Sequence, residues 1–368
     1  MTEPEDLLPI GLEDRLPREA AAITRAMREA LDAMDAHGYD RVRPPLIEFE
    51  RSLAGRMGHE SARTLCRFVD PASLRTLAVR SDITPQIGRI ADTGLSQAPR
   101  PLRLCYAGEV AVLSADQLDP ARQRLQLGAE LVGADTLEAI SEILSLAVET
   151  LEAMGAKGLT IDLTLPDLVD TLAAGPMPLA PERVEPVKVE LDSKDAGGLV
   201  AAGGETYLPL IHATGPVETA LERLRAIDAG GALASRIEGI EKLAKSLQGR
   251  ARVTLDPTER HGFKYYSWFG FTAYGAGASG ALARGGTYRV QRSGEAATGF
   301  TCYLDRLLPA LPPAPARDML FLPTDHDPAV ARRLRAEGWR TLKALTDGDD
   351  PRALGCTHRL AGAEPTPL

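Results

Sequence analysis

The residues best suited to chemistry lie in a few short stretches. In Arg80-Ser-Asp-Ile-Thr-Pro-Gln86 a carboxylate and a hydroxyl stand two positions apart. On an extended chain Asp82 and Thr84 would point to the same side, because strand side chains alternate. Such a pair suits an ammonium group, the acid supplying charge and the hydroxyl a directional acceptor. The same residues also fit a helix N-cap before residues 86–90, and the sequence leaves the two readings level. Gln126, Gly128 and Glu130 share one side of Gln126-Leu-Gly-Ala-Glu130, as the floor of a polar pocket would. Tyr265-Tyr-Ser-Trp-Phe269 offers aromatic walls, and Gly285-Gly286 permits close backbone approach ahead of Tyr288. Val110-Ala-Val-Leu-Ser114, by contrast, holds no cation for a phosphate. Each stretch taken singly is more often structure than site.

Other chemistries find little support. Gly275-Ala-Gly-Ala-Ser-Gly280 fits GxGxxG literally, but it sits between two expected strands, and a dinucleotide fingerprint needs a long helix after it. A mobile hairpin loop is the better reading. No P-loop, HExxH or GxSxG sequence occurs, and the histidines form no ligand cluster. Cys66, Cys105, Cys302 and Cys356 are scattered without CxxC spacing, so they read as reduced thiols, with no metal or cofactor expected. A net charge of −9 gives no basic footprint for nucleic acid. The acidic start lacks a signal-peptide pattern, and no apolar run is long enough for a membrane span. A cytoplasmic, soluble chain is expected.

The elements that would position these residues follow from periodicity and punctuation. Residues 16–36 read as a helix stopped by Gly38, and the prolines in 39–48 force an extended run. Strands are expected at 75–80 and 102–112, the second apolar enough for a sheet centre. Asp135-Thr-Leu-Glu138 has capping-box spacing, and a helix to Gly155 should follow. An alternating strand is expected at 158–165. Residues of about 166–250 read as a mostly helical insertion, interrupted near 174–205. Strands resume at 252–255, 264–274 and 281–290, with a helix expected over 299–308. The proline-rich stretch 311–317 is a linker closing a domain of residues 1–310. Beyond it, residues 318–368 read as one β-α-β unit and a loose tail. Together these predict an α+β fold, an antiparallel sheet flanked by helices, plus a small C-terminal α/β unit.

Taken in order, the stretches resemble the histidyl-tRNA synthetase-type class II aminoacyl-tRNA synthetase catalytic domain, over roughly residues 7–310. Within that class the chain is most similar to the ATP phosphoribosyltransferase regulatory subunits. The resemblance implies a dimer-interface motif with Pro45 at its key proline. It implies that Asp82 and Thr84 hold an amino acid's ammonium group, with Asp82 where the synthetases usually carry Glu. Gln126 and Glu130 fall on residues that contact bound histidine, and Tyr266 and Tyr288 line the same pocket. Gly299-Phe-Thr-Cys-Tyr-Leu-Asp-Arg306 matches the third motif with its arginine, Arg306.

Departures from the synthetase pattern fall on the phosphate chemistry. Val112 stands where the second motif places an arginine on ATP, a contact worth several kcal/mol to a phosphate transition state. Leu113 and Ser114 replace its neighbours. His261 stands at a second arginine position, with Arg260 one residue away; Thr287 replaces another arginine, and Tyr303 a glycine that leaves room for adenine. Only part of an anticodon-binding domain follows the linker. The resemblance therefore implies a non-catalytic regulatory subunit of ATP phosphoribosyltransferase, acting in the first step of histidine biosynthesis. It would form a homodimer within a hetero-oligomer with a short-form catalytic subunit, with histidine as effector through linkage. The competing readings are a degenerate synthetase-like enzyme that still activates an amino acid with ATP, and a stand-alone RNA-binding module.

Overall fold

Proline in its first turn and Gly38 past its end, with a φ of 77°, bound helix α1 (Pro17–Ala36). Ala22, Ala26, Ala30 and Met34 repeat at helical spacing and bury one face. This computed structural model describes residues 8–54, 64–113, 120–260, 266–311 and 317–368. It divides into two compact units, Met1–Pro312 and Pro313–Leu368.

In the first unit α1 is followed by β1 (Asp40–Arg41), β2 (Ile47–Phe49), α2 (Glu50–Ala54), β3 (Arg67–Val69) and β4 (Thr76–Val79). Then come α3 (Thr84–Asp92), β5 (Leu102–Ala111), β6 (Gln123–Val132), α4 (Leu137–Ala153) and β7 (Thr160–Thr164). Helices α5 (Leu168–Ala173), α6 (Pro181–Asp192), α7 (Ala196–Ala201) and α8 (Leu208–Ile211) lead to β8 (Gly215–Pro216). Helices α9 (Val217–Ile227) and α10 (Ala234–Ser246) precede β9 (Arg252–Leu255). The unit closes with β10 (Tyr266–Tyr274), β11 (Ala283–Arg289), β12 (Ala296–Tyr303) and α11 (Leu304–Leu307).

A nine-stranded sheet carries the unit, in the order β1-β5-β6-β12-β11-β10-β7-β9-β8. Its middle, from β5 across to β7, is antiparallel throughout. Helices α1 and α4 pack on one face with Leu127, Ala129, Phe300 and Cys302. Helix α3 packs on the other through Ile83, Ile87 and Ala91, against Leu104, Tyr106 and Val132. Both faces are therefore buried, and side-chain alternation sends each strand's residues to two different interiors. A separate antiparallel sheet, β2-β4-β3, sits beside α2.

The second unit is a four-stranded sheet, β14-β13-β15-β16, formed by β13 (Met319–Leu322), β14 (Arg340–Lys343), β15 (His358–Ala361) and β16 (Glu364–Pro367). Helix α12 (Pro328–Ala336), capped by Asp327, joins β13 to its parallel partner β14.

The structure departs from several of the expectations above. Residues 299–308 are not one helix: 299–303 belong to β12, inside the large sheet, and helix begins only at Leu304. Burial on both faces had removed the polar–apolar alternation that marks a strand. The strand at 102–112 lies next to the sheet edge, covered only by the two residues of β1. Thr136, not Asp135, caps α4 by accepting from Ala139 N; Asp135 instead pairs with Arg289. The interruption near 174–205 is itself helical, with Pro186 inside α6. The C-terminal tail is no loose end: β15 and β16 pair across a two-residue turn whose first residue, Gly362, has positive φ.

The double glycine at 285–286 also has a structural reason. A Cβ on Gly285 would stand 2.4 Å from the Phe271 ring and 2.6 Å from the Gly299 carbonyl oxygen. Gly285→Ala is expected to cost about 1–3 kcal/mol by overpacking, read from the urea midpoint. An unchanged midpoint would contradict this packing.

Candidate functional site

The floor of the site is the face of the large sheet turned toward α3. Three adjacent strands set its rows by register: Glu130 lies beside Gly299, Gly128 beside Thr301 and Gln126 beside Tyr303. On the other side of β6, Tyr106 pairs with Gly128. The glycines hollow this floor. A Cβ on Gly299 would lie 1.7 Å from Glu130 Oε2, and one on Gly128 would lie 2.7 Å from Tyr106 Oη. Both side chains thus lie flat over bare backbone.

Above the floor stands the turn into α3. Asp82 and Thr84 do converge, but as the start of a helix rather than through strand alternation: Thr84 N donates to Asp82 Oδ1 at 3.1 Å. Asp82 lies one residue before the cap position, Ile83, so this is a turn contact and no side chain caps α3. Gln126 joins floor to turn, its Nε2 donating to Asp82 Oδ1 at 2.6 Å while its Oε1 accepts from Ile83 N at 2.9 Å. At the deep end Glu130 accepts from Thr84 Oγ1 at 3.0 Å, Tyr106 Oη at 3.3 Å and Tyr288 Oη at 2.9 Å. Thr301 Oγ1 closes the ring, 2.8 Å from Tyr106 Oη and accepting from Gln126 Nε2 at 3.2 Å.

Glu130 is 1% exposed, whereas Asp82 is half-buried and marks the mouth. Among the described residues, hydroxyl, amide and backbone groups are the hydrogen-bond partners of both carboxylates, and no ion pair reaches either. Burial pushes the Glu130 carboxyl up to about 8, against the pull of the Tyr288 and Thr84 hydroxyls. Asp82 is raised too, by burial, opposed chiefly by Gln126. Burial also lifts the Tyr106 and Tyr288 phenols far above their usual range, with Glu130 adding to both. Two carboxylates short of positive charge make a site that a ligand carrying a cation would satisfy.

The cations gather at the opposite end, around Tyr303. The Arg306 and Arg124 guanidinium groups lie 5.2 Å and 5.6 Å from its ring centre, and Arg306 Nη1 donates to the Ala281 carbonyl. Tyr303 shares the pocket face, paired with Gln126 across β6 and β12. Val112 directly follows β5, half-buried, its N–H donating to the Arg122 carbonyl. Thr287 is turned away from the pocket: its hydroxyl accepts from Ser267 Oγ at 2.8 Å and from Trp268 N at 3.2 Å, bracing an irregularity in β10. Arg260 reaches Glu185 on α6 at 2.7 Å. Pro45 is exposed beside β2, and its carbonyl accepts from Gln86 Nε2 at 2.8 Å.

Tyr266 opens β10 opposite Tyr288, while Ser114, His261 and Tyr265 lie outside the described residues. The expected aromatic wall is not formed by Trp268 and Phe269, which pack with the α1–α4 core. Sequence reasoning missed Tyr106 and Thr301. Tyr106 was legible from the alternation Leu104-Tyr106-Gly108; Thr301 was hidden by the mistaken helix. Among the described residues no cluster of acidic, histidine or cysteine side chains could hold a metal ion, and no helix is long and apolar enough to cross a membrane.

A family model described as histidyl-tRNA synthetase matches residues 11–307. The structure is similar to that of an ATP phosphoribosyltransferase regulatory subunit/histidyl-tRNA synthetase from Bacillus halodurans, with a TM-score of 0.82 at 22% identity over 96% of this chain and 97% of that one. It also resembles the ATP phosphoribosyl transferase (HisG:HisZ) complex from Thermotoga maritima, at a TM-score of 0.60 and 18% identity over 77% of this chain and 97% of that one. Fold and family model together define a histidyl-tRNA synthetase-type class II domain. An ATP phosphoribosyltransferase regulatory subunit from Rhodospirillum centenum is 40% identical over 366 residues, covering 97% of this chain and 95% of that protein. The chain belongs to that family of regulatory, non-catalytic subunits.

The raised Glu130 carboxyl has a consequence for stability. The native state keeps a proton that the unfolded chain releases, so stability should fall between the ordinary 4.5 and about 8 as pH rises. The slope approaches about 1.4 kcal/mol per pH unit. Urea unfolding across that range is expected to show the slope in the wild type and its loss in Glu130→Gln. Equal slopes would refute the assignment.

Proposed function

We propose that this chain acts in a cytoplasmic hetero-oligomer with a short-form catalytic ATP phosphoribosyltransferase, and that its pocket takes L-histidine without activating it. The observation that carries this reading is the pairing of Glu130 at the floor with Asp82 at the mouth, neither with a cation. Histidine's ammonium group fits Asp82 and Thr84, with Gln126 in support, and its imidazole fits Glu130 with Tyr288 or Tyr266. Tyr303 carries a phenol ring on the pocket face beside the arginines, and Val112 brings no charge, which favours binding over reaction with ATP. The name of the Thermotoga maritima complex supports the catalytic partner. Feedback then requires that histidine bind one conformation of the complex more tightly than another.

The building block in this reading is a homodimer of the regulatory chain. Ile47, Phe49 and Phe68 are 42%, 36% and 42% exposed. Phe49 and Phe68 flank Leu77 across the small sheet, so they share one face. Phe68→Glu should then shift the chain from dimer to monomer in sedimentation; an unchanged species would contradict this interface.

Mixing the purified chain with a short-form catalytic subunit of the same organism is expected to give a co-eluting complex and faster phosphoribosyl-ATP formation. No complex and no rise would overturn the assembly. Histidine alone should raise the melting temperature, by an amount equivalent to about 2.7 kcal/mol at a hundredfold excess over Kd. Glu130→Ala should remove that shift while remaining folded. A shift that survives in this variant would refute the pocket.

A further inference from the structure

Strand β10 does not meet β11 evenly. Tyr266 pairs with Tyr288, yet the next pair is Gly270 with Gly286. Ser267, Trp268 and Phe269 on β10 are therefore opposed by the single residue Thr287. The ladder between β10 and β7 begins only at Gly270, opposite Thr164, so the bulge lies before it. Counting back from the Gly270–Gly286 pair, an unbroken ladder would set Trp268 opposite Tyr288. The bulge takes Trp268 out of that row and packs it, with Phe269, against the α1–α4 core. There its Nε1 donates to the Asp135 carbonyl at 3.2 Å. Tyr266 takes the place opposite Tyr288 instead. Bulges beside binding sites commonly re-aim side chains in this way.

Thr287 holds the bulge. It is completely buried, and its Oγ1 accepts from Ser267 Oγ at 2.8 Å and from the Trp268 and Phe269 N–H groups at 3.2 Å each. The same hydroxyl donates to the Phe269 carbonyl at 3.4 Å. One side chain thus meets all three bulged residues. Without it, two backbone donors would lose this acceptor, and the bulge its advantage over an even ladder.

We propose that Thr287 is a positioning residue that sets the pocket's specificity from behind. Through the bulge it decides that a tyrosine, and not Trp268, stands opposite Tyr288, whose hydroxyl reaches Glu130 at 2.9 Å. This rests on the reading of the pocket as a histidine site. A phenol both donates and accepts a hydrogen bond, whereas an indole only donates. Neutral imidazole has one donor and one acceptor nitrogen, so a tyrosine in this row can answer either and a tryptophan cannot. Thr287 itself does not touch the ligand, because its hydroxyl is spent on β10.

The test joins calorimetric titration of the full chain with L-histidine to Trp268 fluorescence. The fluorescence is read in a Trp339→Phe background, since the chain has two tryptophans. Thr287→Val keeps the shape and removes the acceptor; it is expected to weaken histidine binding roughly tenfold and to shift Trp268 emission. Thr287→Ser keeps the hydroxyl and should restore both. Thr298→Val is the control for a merely structural loss. Thr298 is as buried, pairs with Thr287 from β12 and donates to the Ala134 carbonyl at 2.9 Å. Its loss should lower the melting temperature and leave the histidine Kd unchanged. Wild-type affinity in Thr287→Val, or an equal weakening in Thr298→Val, would overturn the proposal. Should Thr287→Val fail to fold, Ser267→Ala removes one bulge contact and should weaken binding roughly two- to tenfold; wild-type affinity there overturns the idea. A wild-type chain that binds no histidine removes the histidine reading and the specificity role with it. Trp268 emission then decides the brace alone: a shift in Thr287→Val upholds it, and an unchanged spectrum overturns it.

Discussion

A carboxylate removed from water with no cation beside it is the constraint around which this fold is arranged. Desolvating such a charge costs several kcal/mol even after relaxation. Glu130 meets that cost with three hydroxyl donors, drawn from α3, β5 and β11, and with a raised pKa that lets it hold a proton. Each donor needs a place close above the sheet. The bare backbone of Gly128 and Gly299 provides it, and an added methyl at either would collide with the very groups that make the site. Polar networks of this kind are favourable only when nearly every member is satisfied, which explains why so many elements converge on one acid.

The outer parts of this arrangement were plainly legible in the sequence. Helix α1, β7 and the β13-α12-β14 unit carry local signals: apolar spacing, Gly38 as a stop, Asp327 as a cap. The pocket's polar alternation in β6 was legible too, since Gln126, Gly128 and Glu130 stand out against apolar neighbours. What failed to show was the sheet's centre. Ala297 to Cys302 is buried on both faces, so β12 lacks alternation and reads as a helix, and Thr301 was lost with it. Asp82 and Thr84 illustrate the reverse case. They read equally as a helix cap or as a pocket; they meet at the start of α3, where no side chain takes the cap bond, and Thr84 reaches Glu130 on the sheet.

The proposed function rests on an asymmetry along one face. The deep end is acidic and lined with hydroxyls; the far end has arginines around a phenol ring. A synthetase-type site would place a nucleotide between such ends. In the proposal Tyr303 takes that space, and Val112 sits where the resemblance puts a phosphate-binding arginine. The chain's membership of the ATP phosphoribosyltransferase regulatory subunit family is consistent with the proposal of a pocket that binds without reacting. Linkage supplies the rest of the proposal, because a ligand that prefers one conformation must shift any activity coupled to it.

The most direct measurement is a crystal structure of the chain grown with L-histidine. The account expects one histidine on the α3 face of the sheet, its ammonium nitrogen within hydrogen-bonding distance of Asp82 and its imidazole on Glu130. Histidine bound only among the arginines around Tyr303, or an empty pocket at saturating histidine, would contradict it.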